Sequence, residues 1–216
     1  MKEAFIDTSL QSLTLVIVKD GKVTYVTKES DKKKTAEEII PEMKKGAEES
    51  GFAFSDFDDL FLTDGPGSYT GERIALTVGK VYAFLKKEVR IHLCSSLKVM
   101  SAVDPEELVL SLADARNEAC FEGAYLNGKT VDEEKRAEKE EIASYLASHK
   151  EAVIAVLPSF KETIEKRYPG RKVIAVNLQE ALVKARPFFE LNKDPYAMKA
   201  RYLRGKEDES PAAQGK

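Results

Sequence analysis

The sequence has no tryptophan and only two histidines and two cysteines among its 216 residues. Cys94 and Cys120 lie far apart and form no CxxC pair, which excludes a disulfide scaffold and a structural zinc site and fits a reduced, cytosolic protein. His92 and His149 fall on separate elements, whereas metal sites favour clustered His, Cys or carboxylate groups, so no metal is expected. No apolar run approaches the ~18 residues that a membrane helix needs. The opening MKEAFIDTS reads as too polar for a secretory signal. A basic excess is also missing: 34 Lys and Arg face 37 Asp and Glu, a formal net charge of −3. A protein that binds nucleic acid unaided usually shows such an excess, so contact with RNA would need a local patch or a partner.

What is present is charge and a regular alternation of elements. Charged residues make up 33% and hydrophobic residues 43% of the chain, the composition of a heavily charged globular protein. The length allows one large domain or two small lobes with a core that needs no staples. Phe5 and Ile6 lead into Asp7-Thr8-Ser9. Leu13 to Val18 and Val23 to Thr27 then read as strands around a hairpin at Asp20-Gly21. Ala36, Ile39, Ile40, Met43 and Ala47 recur at helical spacing, with Pro41 as a local inconsistency. Leu60 to Thr63 is a short buried strand, Arg73 to Lys87 a helix, Ile91 to Leu93 a strand, and Ser95 or Ser96 caps a helix through Met100.

A break near Asp104-Pro105 divides the chain into an expected first lobe (1–103), a smaller second lobe (104–204) and a polar tail (205–216) expected to be disordered. In the second part, strands are read at 108–112, 119–126, 152–157 and 172–176, with helices at 138–149, 159–168 and 178–188. Asn127-Gly128 is again a hairpin signal. The acid-rich run Asp132 to Glu141 reads as an exposed loop leading into a helix. The order of elements looks used twice, although no sequence repeat is visible.

The segment GPGSYTGERIALTVGKVYAF from Gly65 to Phe84 is the most specific feature. Its loop places Ser68 and Thr70 ahead of a helix N-terminus. It reads either as a tight strand-to-helix turn, relieved by Gly65 and Gly67 and capped by Thr70, or as an anion site. It lacks the Lys-Ser/Thr ending of a P-loop, and no His/Asp pair stands out to activate Ser68. The helix that follows is apolar nearly all round, so it must be covered on two sides. Ile74, Val78, Val81 and Leu85 form one stripe, assigned to a sheet. Ala75, Gly79 and Ala83 form a small-residue ridge that would let another helix come close, from the same lobe, from a partner subunit or from both. The basic clusters Lys32-Lys33-Lys34 and Lys86-Lys87 read as solvated faces that could add attraction for nucleic-acid phosphates.

This segment resembles the hallmark of the TsaB (YeaZ) family, in which a GPGS-aromatic-TG loop enters an apolar helix. Asp7-Thr8-Ser9 is similar to the family's IDTS start, TAEEIIPEM from Thr35 to Met43 to its helix with an Ile-Pro step, and Ser95-Ser96-Leu97 to its S-(T/S)-L. Asp114-Ala115-Arg116-Asn117-Glu118 resembles its DAR-x-x-E segment and Tyr202-Leu203-Arg204 its closing YLR. The departures are Lys34-Thr35 where the family usually has a His, and Glu72 where it usually has an aliphatic residue.

The resemblance implies an α/β, two-lobed actin-like ATPase (ribonuclease H-like) fold, with mixed sheets flanked by helices. It implies a role in making N6-threonylcarbamoyladenosine in tRNA, on the adenosine 3′ of the anticodon in ANN-reading tRNAs. The chain would act there as a non-catalytic partner of the catalytic paralogue TsaD, with the ATPase TsaE joining and tRNA reached through the complex. Actin-like ATPases hold ATP phosphates in glycine-bearing turns after the first strand of each lobe. Asp7-Thr8-Ser9-Leu10-Gln11 and Asp114-Ala115-Arg116-Asn117 contain no glycine, so the nucleotide site reads as degenerate, with no cofactor and no catalytic residue. Asp7 could still bind magnesium or cap local backbone. TsaD-type subunits carry an HxxxH pair, absent here. The partner-binding face is expected on Ile39, Ile40 and Met43 of one helix and on Ala75, Leu76, Gly79, Tyr82 and Ala83 of the next, and it would make a homodimer when free. The competing readings are an actin-fold ATPase or small-molecule kinase, and a metallopeptidase.

Overall fold

A computed structural model describes residues 1–10, 12–27 and 34–203. The expected tail at 205–216, Arg204 of the closing YLR and the cluster members Lys32 and Lys33 lie outside the described residues.

Alternation of apolar residues on both faces of the strands determines the architecture. The first sheet contains β1 (Lys2–Asp7), β2 (Thr14–Lys19), β3 (Lys22–Val26), β4 (Asp59–Thr63) and β5 (Arg90–Cys94). The second contains β6 (Val109–Asp114), β7 (Cys120–Leu126), β8 (Lys129–Ala137), β9 (Val153–Val156) and β10 (Val173–Ala175). The short β11 (Glu190–Leu191) pairs antiparallel with β5, so the strand orders are β11-β5-β4-β1-β2-β3 and β10-β9-β6-β7-β8. Apart from β11, both sheets run in the order third, second, first, fourth, fifth. In each, an antiparallel meander continues into parallel strands. The twofold use of one element order is therefore a property of the structure. Both predicted hairpins form, with left-handed φ at Asp20 and Gly21 and at Asn127 and Gly128, as this turn type requires.

Helices α1 (Thr35–Glu49) and α2 (Tyr69–Leu85) cover one face of the first sheet. There Ala4, Ile6, Leu15, Ile17, Leu60 and Leu62 meet Ile39, Met43, Ala75 and Leu76. Helices α3 (Ser96–Met100) and α6 (Leu178–Lys184) lie on the other face. Phe5, Val16 and Phe61 share a core there with Val109, Tyr125 and Val153 of the second sheet. Helices α4 (Lys139–Ser148) and α5 (Pro158–Arg167) close the outer face of the second sheet over Leu110, Leu112, Ile154 and Val156. The central strands β1, β2, β4, β6 and β9 are thus buried on two sides, which is why they read as near-continuous apolar runs.

The last third of the chain returns to the first sheet. Gln179 Nε2 donates to the Thr27 carbonyl at 2.8 Å, and Arg186 donates two hydrogen bonds to Glu3 Oε1 at 2.7 and 3.0 Å. Met198 is buried beneath α2.

Two element readings are corrected. The run Asp132 to Ala137 is not a loop but part of β8, an edge strand paired with β7. Charge along an edge strand blunts pairing with other chains, and it also hides the strand from a hydrophobic pattern. Helix α2 begins at Tyr69, and its N-cap is Ser68 rather than Thr70; Ser68 Oγ accepts from the Gly71 N–H at 3.4 Å.

Candidate functional site

Two surfaces meet at the N-terminus of α2: a cleft between the sheets and a groove between α1 and α2. The cleft, about 850 Å³, is bordered by Ser9 and Leu10 after β1, by Gly67 to Tyr69, by Asp114 to Asn117 after β6, and by Ser159 and Phe160 at the start of α5. The two turns that follow the first strand of each sheet have opposite characters. In the first, Asp7 is fully buried. Its Oδ2 accepts from Thr63 Oγ1 at 2.5 Å, Ser9 Oγ at 2.8 Å and Ser96 Oγ at 3.3 Å, and its Oδ1 accepts from the Leu10 N–H at 3.1 Å. Of the two roles left open for Asp7, local capping has these partners. In the second turn, Asp114 Oδ1 accepts from the Arg116 N–H at 2.9 Å, and Arg116, Asn117 and Glu118 all take left-handed φ of 66°, 51° and 66°. This turn is open to the cleft. Among the described residues, no group of three or more His, Cys, Asp or Glu residues could hold a metal ion.

The GPGS loop is shaped by close backbone approach. A Cβ at Gly67 would strike the Ser9 carbonyl and one at Gly71 the Thr8 carbonyl, so the loop and the start of α2 lie directly on the turn after β1. Thr8 Oγ1 fixes that contact by donating to the Gly71 carbonyl at 2.6 Å. Glu72, one of the departures noted above, is buried below the loop. Its Oε1 accepts from the Gly67 N–H at 2.7 Å, and its Oε2 has no hydrogen-bond partner. Burial, with Asp64 and Asp7 near by, raises its pKa to about 7 against the Gly67 hydrogen bond and the Arg73 charge, which lower it.

This seating fixes the rotation of α2 and places most of the expected partner-face residues inside the chain. Ala75, Leu76, Gly79, Tyr82 and Ala83 all point into the chain's own core. A Cβ at Gly79 would lie 2.5 Å from Leu62 Cδ1 and 3.3 Å from Met198 Cε, so the small-residue ridge serves close contact with β4 and the returning chain. Tyr82 Oη accepts from the Phe57 N–H at 3.1 Å and donates to the Phe54 carbonyl at 2.6 Å. On α1, Ile39 and Met43 are buried and Ile40 is half-buried. The stripe assigned to the sheet splits in two: Val78 is buried and Ile74 half-buried, but Val81 is 53% and Leu85 72% exposed, and Phe84 beside them is 71% exposed. An apolar groove of about 330 Å³ runs along this side, with Ile40, Ile74 and Thr77 in its walls and Tyr69 and Arg73 at one end.

The pattern missed a cluster at that end. Arg73 lies beside a pair of tyrosines: its guanidinium carbon is 4.0 Å from the Tyr69 ring centre and its Nε donates to Tyr202 Oη at 2.6 Å, while the two rings stack at 5.1 Å. Tyr202 belongs to the returning C-terminal segment, so the contact spans 129 positions of sequence and no local signal could reveal it. His92 is a packing residue, stacked on Phe61 at 4.4 Å and bonded to Asp59 at 2.8 Å. His149 caps the end of α4 and stacks on Tyr145.

Two mixed sheets of one strand order, covered by helices and parted by a cleft, define the actin-like (ribonuclease H-like) class of fold. Two solved structures share it. A crystal structure described as an uncharacterized protein with similarity to peptidase YEAZ from Pseudomonas aeruginosa covers 94% of this chain and 99% of its own, with a TM-score of 0.76 and 22% identity. YeaZ from Pseudomonas aeruginosa covers the same shares at a TM-score of 0.72 and 21% identity. At that identity the likeness is one of fold. Sequence carries the assignment further. A family model described as TsaD: tRNA N6-adenosine threonylcarbamoyltransferase matches residues 26–200. The tRNA threonylcarbamoyladenosine biosynthesis protein TsaB of Bacillus subtilis (strain 168) is 29% identical over 124 residues, 56% of this chain. The match spans about half, 53%, of that relative's length. The chain belongs to this family, on its TsaB (YeaZ) branch.

Proposed function

We propose that this protein takes part in making N6-threonylcarbamoyladenosine in tRNA, as a non-catalytic cytoplasmic partner of TsaD, with TsaE joining and tRNA bound through the complex. The observation that carries the reading is the outward stripe of α2. Val81, Phe84 and Leu85 stand exposed beside an apolar groove between α1 and α2. Contiguous exposed apolar surface of this kind marks an interaction site. The partner face is therefore this outer side of the same two helices, with Ile40 kept from the residues first expected there, and in the free protein it joins two copies. The lobes on either side of position 103/104 serve as a rigid mount for that face, although β11 and α6 reach back onto the first sheet.

A non-catalytic role agrees with how the cleft is built. The turn after β1 spends its carboxylate on four donors of its own chain, and neither turn carries the glycines through which a phosphate is approached. The decisive experiment is depletion of the protein followed by mass spectrometry of tRNA nucleosides. Threonylcarbamoyladenosine falls sharply if the reading holds. An unchanged level, in a strain with no second copy of the gene, overturns it.

A further inference from the structure

A second pocket, of about 350 Å³, lies away from the cleft, between the ends of β4 and β5, strand β8 and the returning chain near β11. It is at the small end of the range of ligand sites. Its charges do not balance. Arg201 is engaged with Asp64: Nε donates to Oδ1 at 3.2 Å, Nη2 donates to Oδ2 at 3.1 Å, and the Arg201 N–H donates to the Asp64 carbonyl at 2.7 Å. With Glu134, Glu190 and Lys98 the lining holds three acids against two bases, and Arg201 is shared between Asp64 and Glu134. Glu134 has a side chain only 9% exposed. Its Oε1 accepts from Tyr125 Oη at 2.5 Å. Its Oε2 is buried with no hydrogen-bond donor, and its ion pair with Arg201 Nε, at 3.5 Å, is shared with Asp64.

A buried carboxylate oxygen without a donor is costly, and a charged donor is the partner that relieves it best. The donor must be small to enter, and it must be cationic because the pocket keeps a net negative charge. Phe188 and Leu191 add an apolar wall, which suits a methylene chain attached to that cation. We propose that this pocket binds a primary alkylammonium group of a small linear diamine, with Glu134 Oε2 and the exposed rim carboxylate of Glu190 as acceptors. The site shares no lining residue with the cleft or the α1–α2 groove, so it stands or falls independently of the function proposed above.

Calorimetric titration of the full chain with putrescine tests this, with tetramethylammonium as a control that carries charge but no N–H donor. Saturable one-to-one binding of putrescine alone is expected. Glu134→Gln should weaken it by about tenfold or more, since a charge-assisted hydrogen bond is lost. Glu190→Gln, at an exposed position, should weaken it by roughly two- to threefold. Lys98→Gln should tighten it by a similar factor, because a like charge leaves the pocket. Failure to saturate, equal binding of tetramethylammonium, or unchanged affinity in a folded Glu134→Gln protein overturns the proposal. If Glu134→Gln does not fold, the other two variants decide: shifts in opposite directions support the site, and no shift in either overturns it.

Discussion

The two sides of α2 use similar residues for different ends. The inner side carries Gly71, Ala75, Gly79 and Ala83 at intervals of four, and each shortens the distance to the sheet or to the turn after β1. The outer side carries Val81, Phe84 and Leu85, larger residues that a fold would normally bury. Residue size, read without its surroundings, therefore points the wrong way. A ridge of small residues suits any close neighbour, and here the neighbour is the chain's own β4 and Met198. The large residues are outside because nothing among the described residues covers them. Hydrophobicity says that both sides need a cover, whereas the close glycine contacts say which side already has one.

The largest test of this comparison is Gly79→Leu. With the Cβ already 2.5 Å from Leu62 Cδ1, the added branches must displace Leu62 and Met198, at a cost of roughly 2–3 kcal/mol of overpacking. A thermal melt should show a clear drop while the association state in sedimentation changes little. Weaker association with an unchanged melt would return the ridge to the outside.

A smaller effect is expected at the foot of the helix, where the inner side begins. Glu72 has a folded-state pKa near 7, against an ordinary value of 4.5. From about pH 4.5 to 7 the folded chain holds a proton that the unfolded chain has released, so stability falls as pH rises through this window and levels off above it. Glu72→Gln keeps the amide neutral and removes that slope, raising stability at pH 8 by on the order of 1–2 kcal/mol relative to the parent. Denaturant midpoints across pH 5 to 8 would check it. Parallel profiles for parent and variant would show that Glu72 does not titrate there.

Much of the fold was legible because local chemistry and pattern agreed. Asp20-Gly21 and Asn127-Gly128 announced hairpins and formed them, and the two-sided burial of β1, β2 and β4 matched their unbroken apolar runs. Strand β8 escaped because its residues alternate charge with charge, and only the hairpin signal ahead of it marked a partner for β7. The two-residue β11 carries too little pattern to be seen at all. At the candidate site, the loop Gly65 to Gly71 was evident as a motif, but the rotation of α2 was not. That rotation is set by Thr8 and Ser9 pressing on Gly71 and Gly67, contacts between segments about sixty residues apart. The Arg73–Tyr202 bond and the Asp64–Arg201 pair are non-local in the same way.

The smallest effect on folding is expected on the outer side, and it is the most informative there. Val81 and Phe84 make their main exposure to solvent, so the double change Val81→Ser, Phe84→Ser should alter the melting behaviour little, within about 0.5 kcal/mol per site, as is usual for surface positions away from buried features. If this stripe is covered by a second copy or by TsaD, the same change removes the large side chains from the centre of an interface. Truncations there typically cost about 1–2 kcal/mol or more of binding each. The dissociation constant measured by sedimentation should then rise by more than tenfold for the double variant, since each 1.4 kcal/mol is about a factor of ten. The outcome is read against Gly79→Leu: one variant should lose association and keep its melt, the other the reverse. A double variant that still associates like the parent would leave the outer stripe without a role, and the partner face would have to be sought around the Tyr69–Arg73–Tyr202 stack at the far end of the groove.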